Sequence, residues 1–325
     1  MGYLLAGYWF KESGGYDINW TMPGCVLCLR MIGLAMDGKL IYFFFLQFLV
    51  DMSNFSLFLL VHDGTKKEEE LSKDQKENAL TEPPSILEMF SHAFFVGGYF
   101  VGPQFSMKKF QTFIQRNINE DLPPSRRFAF KRFGIGICYL VGHLLGDKYL
   151  VPLGFVETPE FIAMGFFKKS LYFSVWVKII LAKYISAWLL AEGAVILSGL
   201  AYNGRWEDGS IKWNGGANVK LRIFEKSSRF QHYVDSFNIN TNAWVLNYVY
   251  KRLRFLNNRS YSQLGALVRL FCDWLHVDLL MIGYDQFQTF LALWHGWHPG
   301  YYICFFNEFL VMQFEKSFFP LIDNK

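Results

Sequence analysis

A long apolar stretch, Phe161–Leu200, constrains the fold of this chain more than any other segment. About 20 apolar residues cross the hydrocarbon core of a bilayer, so the stretch predicts two helices, or one long tilted helix broken near Glu192-Gly193. Further apolar stretches lie at Ile41–Val61, Ser85–Val101, about Phe133–Leu145 and about Phe290–Val311. The sequence therefore predicts an all-α, polytopic helical membrane protein.

The composition agrees with a membrane-embedded chain. Of the 325 residues, 52% are hydrophobic and 19% are aromatic, while 18% are charged, against roughly 25% charged in soluble domains. The charges cluster, above all between Lys66 and Glu82, in a connector that we expect to lie in water. The net charge of +4 is small and spread out, so we expect no nucleic-acid partner. A large soluble protein with an unusually aromatic core is the alternative.

The five cysteines do not suggest a disulfide framework. Cys25 and Cys28 form a lone Cys-x-x-Cys within an apolar run, and no second pair completes a zinc site. Packing is favoured for both thiols over a redox or metal-binding role.

The segment Trp294–Phe305 places the imidazole of His295 beside a glycine at the start of an apolar stretch. Histidine has the unperturbed pKa nearest neutrality, and an ionisable group beside membrane-grade sequence is costly unless it has a partner or a task. His295 is therefore a candidate general base at or inside a bilayer. His298 and Glu308 raise a metal site as an alternative, but Pro299 breaks the helix between them, so we expect neither a metal nor a bound cofactor.

A second polar set, Asn238, Asn240 and Asn242, stands beside Trp244. Three amides at alternate positions are too polar to lie unpaired in lipid, so they cap a helix, line water or bind a ligand. Capping and ligand contact both stay open. The chain has no Gly-x-Ser-x-Gly elbow and no phosphate-binding Gly-x-x-x-x-Gly-Lys-Ser/Thr loop. A lone histidine base in a membrane protein remains.

Three short motifs carry a resemblance to a known family. They are Trp294-His295-Gly296-x-x-x-Gly300-Tyr301-x-x-x-Phe305, the set Glu225, Phe237-Asn238 and Trp244, and the pair Trp213-Asn214. The first two look like the His and Asn motifs of the membrane-bound O-acyltransferases, in the form typical of lysophospholipid acyltransferases. Phe237 stands where many members have Trp, and Asn214 stands where the third motif usually has Asp. The lysophosphatidylcholine acyltransferase subgroup is the most similar, through Asp17–Pro23, Val101–Met107, Ser236–Trp244 and Leu291–Gly296.

The resemblance implies a multi-pass enzyme of the endoplasmic-reticulum membrane. It would move a fatty acyl group from acyl-CoA, its co-substrate, to the sn-2 hydroxyl of lysophosphatidylcholine and related lysophospholipids. His295 would take the hydroxyl proton, and Asn238 would position the hydroxyl or stabilise the oxyanion. Further candidates for substrate binding are Asn242, Trp244, Trp294, Tyr301 and Gln104. A homodimer is left open, as is a catalytically inactive binding or transport fragment of the same fold.

Two stretches, 38–61 and 268–288, have no counterpart in the family, and the sequence reads smoothly without them. We interpret both as translated non-coding sequence inserted in one membrane-embedded acyltransferase domain, 1–325. Because members carry several more helices on both sides, we expect this domain to be partial, shortened at both ends.

Overall fold

The computed structural model describes residues 2–11, 21–38, 63–119, 122–251, 290–296 and 298–323. Within these ranges the regular structure is helical, apart from an isolated antiparallel bridge between Arg205 and Ile211. The predicted span Ile41–Val61 and the stretch 268–288 lie outside the described residues.

The helices follow one another along the chain in the order predicted for an all-α protein. They are α1 (Gly2–Lys11), α2 (Thr21–Asp37), α3 (Lys73–Asn78), α4 (Ile86–Ala93), α5 (Met107–Asn119), α6 (Arg126–Tyr149), α7 (Pro159–Ile162), α8 (Phe166–Ser198), α9 (Leu221–Lys226), α10 (Phe230–Ser236) and α11 (Ile239–Val245). A π-helical turn, Leu246–Tyr250, extends α11, and a helical stretch at 290–295 precedes α12 (Pro299–Asp323). Single 3₁₀ turns lie at Asp63–Thr65, Glu68–Glu70 and Leu153–Glu157.

Two of the described helices, α6 and α8, are long and apolar enough to cross a membrane. The predicted break near Glu192-Gly193 is wrong, because α8 runs unbroken through both residues to Ser198. Backbone groups in an apolar surrounding must bond within their own helix, so one glycine does not interrupt it. The helix ends instead at Gly199, which adopts the left-handed conformation with a φ of 97°.

The prediction of one apolar helix over Ser85–Val101 is wrong in extent. Ser85 begins α4 as predicted, since its hydroxyl accepts from the Glu88 amide while the Glu88 carboxylate accepts from the Ser85 amide. The helix ends at Ala93, and turns follow as far as Val101. Eight residues are too few to span a bilayer.

The chain divides into two compact units. The first comprises Met1–Phe95, Gln104–Thr112 and Leu221–Lys325, and the second comprises Val96–Pro103 and Phe113–Lys220. In the first unit, buried side chains from α1, α2, α11 with its π turn and the stretch 290–295 form one core. Its members are Leu4, Leu29, Trp244, Val245, Tyr248, Val249, Leu291 and Trp294.

The second unit is built on the pairing of α6 with α8. A Cβ added to Gly146 of α6 would lie 2.7 Å from Cγ1 of Ile179, so the glycine lets the two helices approach closely. Nε of Arg132 lies 3.0 Å from Oε1 of Glu192, whose side chain is 1% exposed. A carboxylate buried this deeply requires a paired cation, which the neighbouring helix supplies.

Gly146→Ala is expected to destabilise the second unit, because the new methyl group overlaps the Ile179 side chain. Overpacking of this kind costs about 1–3 kcal/mol. Gly142→Ala is the matched control on the same helix, since a Cβ there has no neighbour within 4 Å. Thermal unfolding in detergent compares the two variants, and equal melting temperatures would contradict the role given to Gly146.

Candidate active site

His295 is the last residue of the helical stretch 290–295 and is partly buried. Gly296 follows it with a φ of 127°, a conformation that residues with a side chain rarely adopt. The predicted span Phe290–Val311 is therefore helical on both sides of a break and is not one continuous helix, because the backbone turns at Gly296 before α12 begins.

Three aromatic rings surround the imidazole of His295. Its centroid lies 4.9 Å from that of Trp294, 5.3 Å from that of Tyr301 and 5.5 Å from that of Phe305. Tyr301 and Phe305 are four residues apart on α12 and so share one face of that helix. The spacing of the predicted His motif is thus the spacing needed to place two α12 rings against His295 after the turn.

Trp294 attaches the His295 segment to the two N-terminal helices. Its indole Nε1 donates to the carbonyl oxygen of Cys25 in α2 at 3.4 Å. Its own carbonyl oxygen accepts from the hydroxyl of Tyr8 in α1 at 3.0 Å. Tyr8 also lies 2.5 Å from Sγ of Cys25. Sequence reasoning missed Tyr8, because nothing local marks a contact made across 286 positions of the chain.

Asn238 lies between α10 and α11 in the left-handed conformation, with a φ of 51° and a ψ of 41°. It is the one non-glycine residue with a positive φ in the described part of the chain. Its carbonyl oxygen accepts from the Asn242 amide at 3.1 Å and so begins α11, but its side chain does not cap the helix. Asparagine tolerates this conformation better than most residues, so strain is concentrated at the predicted site residue.

Asn242 holds the backbone on both sides of that turn. Its side-chain Nδ2 donates to the carbonyl oxygens of Val234 at 3.0 Å and Phe237 at 3.2 Å. The Phe237 ring stacks on Phe224 at a centroid distance of 5.5 Å. Asn242 therefore stabilises the conformation that presents Asn238, and its predicted contact with substrate stays a prediction.

Trp244 joins the helix after Asn238 to the segment that carries His295. It is buried, and its ring stacks on Tyr248 at 5.1 Å and on Phe290 at 5.8 Å. Its observed role is packing, so substrate binding by Trp244, like that by Trp294 and Tyr301, stays a prediction.

Gln104, also predicted to bind substrate, connects its loop to α2. Its Nε2 donates to the carbonyl oxygen of Val26 at 3.1 Å. Arg30, one turn further along α2, is buried and donates to the carbonyl oxygens of His92 at 2.9 Å and Ala93 at 3.0 Å, the last residues of α4. The pKa of His92, in a helix too short to span, is lowered to about 3 because burial and then the Arg30 charge disfavour the imidazolium.

The third motif lies in the second unit. Trp213 is buried with its ring 5.4 Å from that of Tyr202, and Oδ1 of Asn214 accepts from the side chain of Asn203 at 3.2 Å. An open pocket of about 270 Å³ is lined by Phe128, Lys131, Arg132, Ile196, Trp213 and Asn214. Asparagine at this motif position thus makes a polar contact within its own loop.

Residues 5–271 and 287–324 match the model of the membrane-bound O-acyltransferase family. The chain belongs to this family, as the motif resemblance predicts. It is 41% identical to lysophospholipid acyltransferase 5 of Drosophila melanogaster, over 98% of this chain and 54% of that protein. It is 38% identical to lysophospholipid acyltransferase 5 of Homo sapiens, over 99% of this chain and 58% of that protein.

The chain therefore spans little more than half the length of these relatives. The family match runs through 38–61 and is interrupted at 272–286, inside the second stretch that we interpret as inserted. Both insertions, and the assignment of 1–325 to one domain, stay predictions.

Gly296→Ala is expected to destabilise the His295 turn. The added Cβ would lie 3.4 Å from the Tyr8 ring, an ordinary contact, so the cost is backbone strain of about 1–3 kcal/mol. Gly134→Ala is the control, since its Cβ has open space. Thermal unfolding in detergent measures both, and a Gly296→Ala protein as stable as the control would show that the turn is not constrained.

Proposed function

We propose that this chain carries the acyl-transfer site of a lysophospholipid acyltransferase. The reaction moves a fatty acyl group from acyl-CoA to the sn-2 hydroxyl of lysophosphatidylcholine or a related lysophospholipid. The observation that carries the proposal is the conformation of Asn238, an asparagine strained at a helix start in the same packed unit as the ring-enclosed His295. Family membership and the names of the relatives support the same reaction class.

The proposed chemistry needs one base and one amide. Neutral His295 takes the proton of the lysophospholipid hydroxyl as its oxygen attacks the thioester carbonyl carbon. The tetrahedral oxyanion collapses, the carbon–sulfur bond breaks, and the CoA thiolate leaves with the electron pair. The imidazolium of His295 then returns its proton to the thiolate, so the enzyme is restored without a covalent acyl intermediate.

Asn238 has the second role, to position the hydroxyl or to donate a hydrogen bond to the oxyanion. A backbone fixed by the Asn242 hydrogen bonds costs no reorganisation at the moment of reaction. The aromatic rings around His295 exclude water, which keeps the thioester from hydrolysis and strengthens electrostatic contacts inside the site.

The surroundings follow from this proposal. Both lipid substrates partition into the bilayer, and the CoA head group arrives from water. We propose the endoplasmic-reticulum membrane as the location, with acyl-CoA and lysophospholipid as the binding partners and no bound cofactor. A homodimer stays a prediction.

His295→Ala is expected to reduce acyl transfer by at least about 100-fold, because a positioned base contributes roughly 10²–10⁴-fold. Microsomes expressing the full chain are given lysophosphatidylcholine and labelled acyl-CoA, and labelled phosphatidylcholine is measured. His298→Ala is the matched control, since that imidazole is exposed and accepts from the Gly300 amide at the start of α12. Transfer that survives His295→Ala would refute the base, and a wild-type chain without transfer would favour the inactive fragment.

Asn238 variants are expected to separate the amide from the backbone conformation. Asn238→Gly keeps a left-handed backbone without steric cost and removes the amide, so the protein should stay stable while transfer falls about 10²–10³-fold. Asn238→Ala should lose the same activity and also about 1–2 kcal/mol of stability. Activity and melting temperature are measured on both. An Asn238→Gly protein with normal transfer would exclude a role for the amide.

A further inference from the structure

The carboxylate of Glu315, far along α12 from His295, holds the start of the helix that leads to Asn238. Oε1 accepts from the Phe230 amide at 2.6 Å, and Oε2 accepts from the Gln231 amide at 2.9 Å. These are the first two amides of α10, which have no partner within the helix itself. The Arg229 guanidinium lies 4.0 Å from the centroid of the Phe319 ring, one turn beyond Glu315. The contact is thus ionic, hydrogen-bonded and packed.

A second attachment lies on the other side of Asn238. The Trp244 ring stacks on Phe290, just before His295 in the chain. The segment 230–244 is therefore joined to the segment 290–315 at both of its ends, and the contacts run in opposite order along the two segments. Asn238 lies between the two attachments on one segment, and His295 lies between them on the other.

We propose that Glu315 is a positioning residue for acyl transfer, which sets the place of Asn238 relative to His295 by fixing the start of α10. This inference rests on the proposed function. Both carboxylate oxygens are occupied by backbone amides, so Glu315 itself touches no reacting atom. Only seven residues of α10 and the Phe237 linkage separate this contact from Asn238, so little chain is available to absorb a shift.

Glu315→Ala is expected to lower kcat for acyl transfer roughly 10–100-fold with KM for lysophosphatidylcholine nearly unchanged, because a small misplacement of a catalytic group costs rate rather than binding. Glu315→Gln keeps one acceptor oxygen and should fall between wild type and Glu315→Ala. Lys316→Ala changes the neighbouring exposed position of α12 and should behave as wild type.

A double variant separates positioning from a general structural role. If Glu315 acts through Asn238, Glu315→Ala should cause little further loss of transfer in an Asn238→Gly background. The same fold-loss in both backgrounds, or unchanged kcat in Glu315→Ala, would overturn the inference.

Amide hydrogen exchange of the purified full chain gives a readout that does not depend on activity. Glu315→Ala should speed exchange across 237–242, beyond the two amides it releases, and leave 290–295 as in wild type. Unchanged exchange across 237–242 would overturn the inference even if the wild-type chain shows no acyl transfer, an outcome that counts against the proposed function alone. Should Glu315→Ala lower the melting temperature steeply, Glu315→Gln is the variant on which both measurements decide.

Discussion

The backbone turn at Gly296 is the constraint on which the candidate site depends. In an uninterrupted helix, residues three or four apart share a face, and neither Tyr301 nor Phe305 would lie over His295. The positive φ of Gly296 ends one helical stretch and lets α12 start in a new direction, so both rings reach the imidazole. The glycine after the histidine is therefore a geometric requirement of the site.

Long-range polar and aromatic contacts hold this turn in place. Tyr8, Trp294 and Cys25 connect three helical segments, and the Tyr248 hydroxyl donates to Oδ2 of Asp37 at 2.8 Å within the same core. Lipid tails are as apolar as core side chains, so burial alone gives little preference for one helix arrangement in a bilayer. Close packing and satisfied polar groups then determine the arrangement, as they do for Gly146 in the second unit.

Much of the site could be predicted from short motifs. His295, Asn238 and the family followed from residue types at fixed spacings, because each motif is a local backbone device: a turn at a glycine, or a left-handed asparagine before a helix. Helix extents were less predictable. The apolar stretch from Ser85 could not show that α4 stops at Ala93, and Glu192-Gly193 read as a break because its partner Arg132 lies on another helix.

The sequence by itself determined that the chain is helical, apolar enough for a membrane and a member of an acyltransferase family, because periodicity, hydropathy and local motifs are properties of neighbouring residues. Only the tertiary structure decided that Trp244, Trp294 and Gln104 contact protein groups and that Asn242 holds the turn at Asn238. It alone joined Glu315 to α10. Such contacts link positions distant in the chain, and the side chains that make them carry no local signal of their partners.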